Sequence, residues 1–96
     1  MSKVKHSPPQ FGKIKTAGEL GKIIRSFRKS QNFTLKKVSG ITGLGMRFLS
    51  ELERGKETAE LGKALEILYK LGLEVTITRR GANNKKQFIE EGEEQV

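Results

Sequence analysis

Cysteine, aspartate and tryptophan are absent from these 96 residues, and histidine occurs once, at His6. Without cysteine there is no disulfide framework and no thiolate zinc site, which suits a reducing, cytoplasmic setting. All eleven acids are glutamates, and the single histidine stands just before Pro8-Pro9. Neither a metal site nor a nucleophile–base pair assembles from such parts by the common routes. No catalytic residue, cofactor or metal is therefore expected, and the chain does not read as an enzyme. Long apolar runs are missing too. None approaches the ~18 residues of a membrane span, and the first nine residues have no apolar h-region of a signal peptide. A hydrophobic content of 34% in a chain this short allows one modest core, with no room for a deep small-molecule cleft. Six aromatics are too few, and too core-like in pattern, for a platform that stacks RNA bases.

What is abundant is positive charge. Nineteen Lys and Arg against eleven Glu give +8 and a pI near 10.0, the balance of a chain that meets a polyanion. The excess lies in the first third. Residues 1–37 hold ten basic side chains and one acid, Glu19, a local +9. Residues 38–74 hold five basic and six acidic side chains, and the remaining four of each sign cancel.

Hydrophobic spacing divides the chain further. Residues 1–10 read as a flexible basic arm, 11–80 as a single domain and 81–96 as a disordered tail. The arm's Lys3 and Lys5 could track phosphate or a minor groove, and Phe88-Ile89 in the tail could anchor a partner. Residues 11–15 could form an edge strand. Thr16-Ala-Gly-Glu19 fits a capping box, in which Thr satisfies an amide and Glu reaches back. Leu20, Ile23, Ile24 and Phe27 then recur at helical spacing, predicting a helix over 17–30 with Lys22, Arg25 and Lys29 outside. Thr34 is a suitable N-cap for a short helix ending at Gly43. A third helix spans Met46 to Arg54, stopped by Gly55. A fourth, roughly 58–71, places Leu61, Leu65, Leu68 and Leu71 on one stripe beside Ala64. Beyond Gly72 the period falls to two. Leu73, Val75 and Ile77 alternate with polar residues as a half-buried strand that needs a partner. Residues 11–15 or the same strand of a second copy could supply it.

Two short helices across Gly43-Leu44-Gly45 form a helix-turn-helix pattern, whose second helix must bury one face and free the other for the major groove. At ~100° per residue, Phe48, Leu49 and Leu52 fall opposite Met46, Arg47, Ser50, Glu51 and Arg54. Arg47 suits the O6 and N7 acceptors of guanine, Glu51 the N4 donor of cytosine, Ser50 several base edges and Met46 a thymine methyl.

The stretch Thr34-Leu-Lys-Lys-Val-Ser-Gly-Ile-Thr-Gly-Leu-Gly-Met-Arg-Phe-Leu-Ser-Glu-Leu-Glu-Arg-Gly-Lys56 resembles the Xre/Cro-type helix-turn-helix family. Phe48 to Lys56, with the following Thr58 to Leu65 and Leu71 to Val75, is similar to its HipB-like antitoxin branch. The resemblance runs from about Ile14 to Thr78. It implies a mainly α, four-to-five-helix lambda-repressor-like domain with a short C-terminal β-strand (Leu73, Val75, Ile77) pairing in a homodimer. It further implies base reading by Met46, Arg47, Ser50 and Glu51. Phosphate contacts fall to Thr34, Leu35, Lys36, Arg54 and Lys56, partly through amides at a positive helix end. Arg28 and Glu53 would form a structural ion pair. One departure is Leu35, where the family usually has a Gln that contacts phosphate. Lys36 or Lys37 is left to take that contact.

The expected function is a sequence-specific repressor of its own operon that acts as antitoxin to a HipA-like kinase. The alternative is a stand-alone Xre-type regulator without a toxin. Operator DNA, a second copy and the kinase are the expected partners, with no membrane and no small-molecule ligand.

Overall fold

The computed structural model describes residues 11–81, so the arm, the tail, His6 and Phe88-Ile89 lie outside the described residues. Four helices follow in order: α1 (Ala17–Ser30), α2 (Leu35–Thr42), α3 (Met46–Glu53) and α4 (Leu61–Lys70). The range of four to five helices resolves to four among the described residues.

Local chemistry sets most of the boundaries. At the start of α1, Thr16 Oγ1 accepts the Glu19 amide at 3.0 Å, and the Glu19 carboxylate accepts the Thr16 amide at 3.3 Å. At the start of α2, Thr34 Oγ1 accepts the Lys37 amide at 3.0 Å. Three helices end in the same way. The Phe33 amide donates to the Arg28 carbonyl, Lys56 to Glu51 and Leu73 to Leu68. Each is a six-residue wrap around a left-handed residue: Asn32, Gly55 and Gly72, with φ of 61°, 85° and 88°. This is the Schellman arrangement, which satisfies carbonyls that a helix end would otherwise leave bare.

The core is Ile24 of α1, Val38 of α2, Leu49 and Leu52 of α3, and Ala64, Ile67 and Leu68 of α4. Leu20, Phe33, Leu35, Leu44, Phe48, Ala59, Leu71 and Leu73 pack around it. Helix α3 sits centrally, against both α1 and α2, while α4 closes on α2. The α1–α3 crossing is tight because Gly21 stands there. A Cβ on it would lie 2.5 Å from the Leu52 and Glu53 carbonyl oxygens. Gly55 comes nearly as close to the start of α1: a Cβ on it would lie 2.7 Å from the Cα of Gly18.

Three expectations change. Residues 11–15 are not a strand; Phe11 instead tilts against Phe27, with ring centroids 6.2 Å apart. Helix α4 begins at Leu61, three residues later than the pattern suggests, because residues 57–59 form a turn that tucks Ala59 onto the core. Its buried stripe is Ala64, Ile67, Leu68 and half-buried Leu71, while Leu61 and Leu65 are exposed. Residues 73–79 do not pair with residues 11–15, which leaves the expected strand its other partner, a second copy. A lone strand leaves its backbone groups unpaired, and no pairing partner exists among the described residues.

Candidate nucleic-acid interface

The turn between α2 and α3 is built by side chains that never leave it. Thr42 Oγ1 donates to the Val38 carbonyl at 2.8 Å and accepts the Leu44 amide at 3.2 Å. Ser39 Oγ donates to the Leu44 carbonyl at 2.7 Å. Lys70 Nζ reaches the Thr42 carbonyl at 3.1 Å, tying α4 to the same corner. Gly43 sits at the end of α2 with φ 79°, and Leu44 plugs toward the core. These bonds tie the corner together from within the chain and so hold α2 and α3 at their angle.

From that corner α3 presents two unlike faces. Leu49 and Leu52 are buried, with Phe48 half-buried beneath the cation of Lys63 at 5.6 Å. Met46 and Arg47 are exposed, the Arg47 side chain at 91%. Ser50 and Glu51 are intermediate, and Arg54 caps the helix from the exposed side.

The outward side chains are bonded to one another. The Glu51 carboxylate accepts Lys56 Nζ at 3.0 Å on one oxygen and Arg47 Nε at 3.3 Å on the other. Arg54 donates to the Ser50 hydroxyl. The hydrogen bond from Lys56 holds the Glu51 carboxyl below the usual carboxylate range, against an opposing push from burial, and Arg47 adds to the lowering. Sequence reasoning missed this network. The signal was present, since residues 47 and 51 stand at the i, i+4 spacing that pairs side chains on a helix.

The residues expected at phosphates divide between backbone and side chain. Thr34 commits its hydroxyl to capping α2, and the Leu35 side chain packs against the core. Leu35 therefore has only its backbone amide to offer at the positive end of α2. Lys36 and Lys37 are exposed beside it.

Arg28 and Glu53 lie inside. Arg28 Nε meets Glu53 Oε2 at 2.6 Å, its Nη2 meets Oε1 at 2.9 Å, and Nη1 donates to the Phe33 carbonyl at 2.8 Å. Their side chains are 11% and 7% exposed. One of the ten N-terminal basic residues is thus spent within the fold and neutralised there. Leu73 is half-buried against the core, while Val75 and Ile77 are exposed, Ile77 at 92%. Among the described residues no helix is long and apolar enough to cross a membrane, and no group of three or more acidic, His or Cys side chains could hold a metal.

No protein-family model matches the chain. A curated relative, the uncharacterized HTH-type transcriptional regulator y4mF of Sinorhizobium fredii, is 40% identical over 73 residues, covering 76% of this chain and 96% of the relative. Among solved structures, a HipB–O4 20mer complex superposes with a TM-score of 0.68 at 21% identity, over 73% of this chain and 99% of the other. A HipA–HipB–O2–O3 complex gives 0.67 at 21% identity, again over 73% and 99%. At that identity the two structures speak for a HipB-like fold.

Proposed function

Because the chain belongs to the helix-turn-helix transcriptional regulators, DNA-binding proteins and not enzymes, we propose that it is a homodimeric, sequence-specific repressor acting as antitoxin to a HipA-like kinase. The observation that carries DNA reading is the outward face of α3. A fully presented Arg47 stands beside Met46 and Ser50, on a helix whose opposite face is locked in the core. Lys36, the Leu35 amide and Lys56 flank it as phosphate contacts that set register without reading sequence. Met46, Arg47, Ser50 and Glu51 address base edges, and Arg54 reaches the backbone.

Dimerisation is supported by what the single chain leaves uncovered. Leu61, Leu65 and Tyr69 recur every fourth residue along the outside of α4, at 68%, 44% and 81% exposure. Val75 and Ile77 add exposed apolar side chains just beyond. A second copy that paired residues 73–77 across a two-fold axis would satisfy the unpaired backbone and cover apolar surface together. Two recognition helices would then meet half-sites one helical turn, or a multiple of it, apart. The antitoxin role draws support from the HipA–HipB complex, whose HipB shares this fold. The y4mF relative is named for regulation alone, so a stand-alone regulator is the reading left if no kinase partner is found.

Two measurements test the proposal separately. Fluorescence anisotropy with duplexes tiled upstream of the chain's own reading frame should find one bound far more tightly than its scrambled counterpart. Equal binding of all duplexes would remove sequence reading. Co-expression with a kinase-like product of the adjacent frame should give a co-purifying complex and rescue from toxicity. Absence of both would leave the regulator without a toxin.

A further inference from the structure

Glu51 is the one acidic side chain in the outward-facing group formed with Arg47, Arg54 and Lys56, and it is held from two sides. Its carboxylate takes Lys56 on one oxygen and Arg47 on the other, while its backbone carbonyl accepts the Lys56 amide at 3.0 Å. A single carboxylate thereby restrains a side chain suited to bases and one suited to phosphate. We infer that Glu51 is a specificity-determining residue that acts through Arg47 and Lys56, holding both cations so that matching DNA releases them more readily than non-matching DNA does.

Glu51 does this within the DNA-reading role proposed above, and the physics is an exchange of partners. An exposed ion pair of this kind is weak and salt-screened, so a planar pair of guanine acceptors can displace it from Arg47. Where the groove lacks that pair, Arg47 gains less by leaving Glu51. With α3 docked in a groove, the carboxylate would also face acceptor-rich base edges and nearby phosphates, and that like-charge approach would penalise DNA offering it no donor. Discrimination by raising the cost of the wrong partner is available to any interface that can place an unpaired charge against it. The lysine side matters as much. While Lys56 is paired with Glu51, its charge is partly neutralised, so non-specific DNA recruits one phosphate contact fewer.

The test compares wild type with Glu51→Gln, which keeps shape and removes charge, and with Glu51→Ala as a second variant. The probes are a duplex enriched from a random pool by the wild-type protein and a scrambled duplex of equal composition. Binding is measured by anisotropy across a salt series. Glu51→Gln should tighten scrambled-duplex binding by about three- to tenfold and steepen its salt slope by about one. The enriched duplex should change less, so the specificity ratio narrows. In a Lys56→Ala background the added slope should vanish. Unchanged scrambled-duplex binding and slope would overturn the inference. A loss confined to one base step of the enriched duplex, with scrambled-duplex binding unmoved, would leave Glu51 as the base reader proposed above and overturn its restraint of Arg47 and Lys56. Failure of the wild type to enrich any duplex would instead remove the DNA-reading role itself.

Discussion

Glu51 and Glu53 stand two residues apart on α3, and each meets an arginine, yet the two pairs live in different media. Glu53 points inward to Arg28, bidentate at 2.6 and 2.9 Å, with Phe33 supplying a further acceptor. Glu51 points outward to Arg47 through one contact of 3.3 Å and shares its other oxygen with Lys56. Burial makes the first pair permanent. Either partner alone would be a charge stranded in low dielectric, so neither can leave. Exposure makes the second pair exchangeable, because water or a groove edge can replace either partner at little cost. The same chemical couple thus serves as a fastening on one face of the helix and as a releasable hold on the other.

The largest effect should come from breaking the inner pair. Glu53→Ala strands the Arg28 guanidinium and should cost about 3–5 kcal/mol of stability, visible in a denaturant melt. Arg47→Ala, in the outer pair, should move stability by no more than about 0.5 kcal/mol. Equal losses from the two would erase the distinction. Gly21→Ala should come next. Its new methyl meets two carbonyl oxygens of α3, and prying α1 away should cost about 1–3 kcal/mol. Arg47→Ala reappears in binding, where it should cost about 1–3 kcal/mol at one base step and relax specificity there. Lys36→Ala should weaken binding to all duplexes alike and flatten the salt slope by about one. The smallest effect is in pH. The Glu51 carboxyl is held below its ordinary value of 4.5, so its ion pairs are present at neutral pH and persist through that value. They are lost only as pH falls through the lowered one. An NMR titration of the side-chain carboxyl should show this, and Lys56→Ala should move the midpoint upward.

Much of the frame was legible because it is fixed by neighbours in sequence. The capping box at Thr16, the cap at Thr34 and the stop at Gly43 each depend on residues within five positions. Helix α4 was read less well for a tertiary reason. Leu61, Leu65, Leu68 and Leu71, with Ala64 beside them, form one helical stripe, and Ala64, Ile67, Leu68 and Leu71 form another that overlaps it. Periodicity cannot choose between them, and the choice falls to the stripe packed against the core shared with α2 and α3. The start of α4 was also unmarked, since Glu60 caps it without a side-chain bond. At the candidate interface, the outward set on α3 followed from the angle per residue alone. The pairing of Glu51 with Arg47 was open to the i, i+4 rule, but that Lys56 joins them was not, because a loop position decides it. Gly21 carried a signal that was available, a glycine inside an otherwise regular helix, whose meaning appears only once α3 lies across it.

The two-faced α3 has a consequence for how such a protein can change over generations. Leu49, Leu52 and Glu53 carry the attachment of the helix to its scaffold, whereas Met46 and Arg47 make no core contact. Substitutions at the outer positions can therefore be sampled nearly free of folding penalty. A duplicated copy could acquire a new target sequence by a few such changes while keeping the old architecture, so that sister regulators in one cell need not cross-talk. Glu51 would be the position to watch in that divergence, since altering it loosens selectivity before a new preference is set.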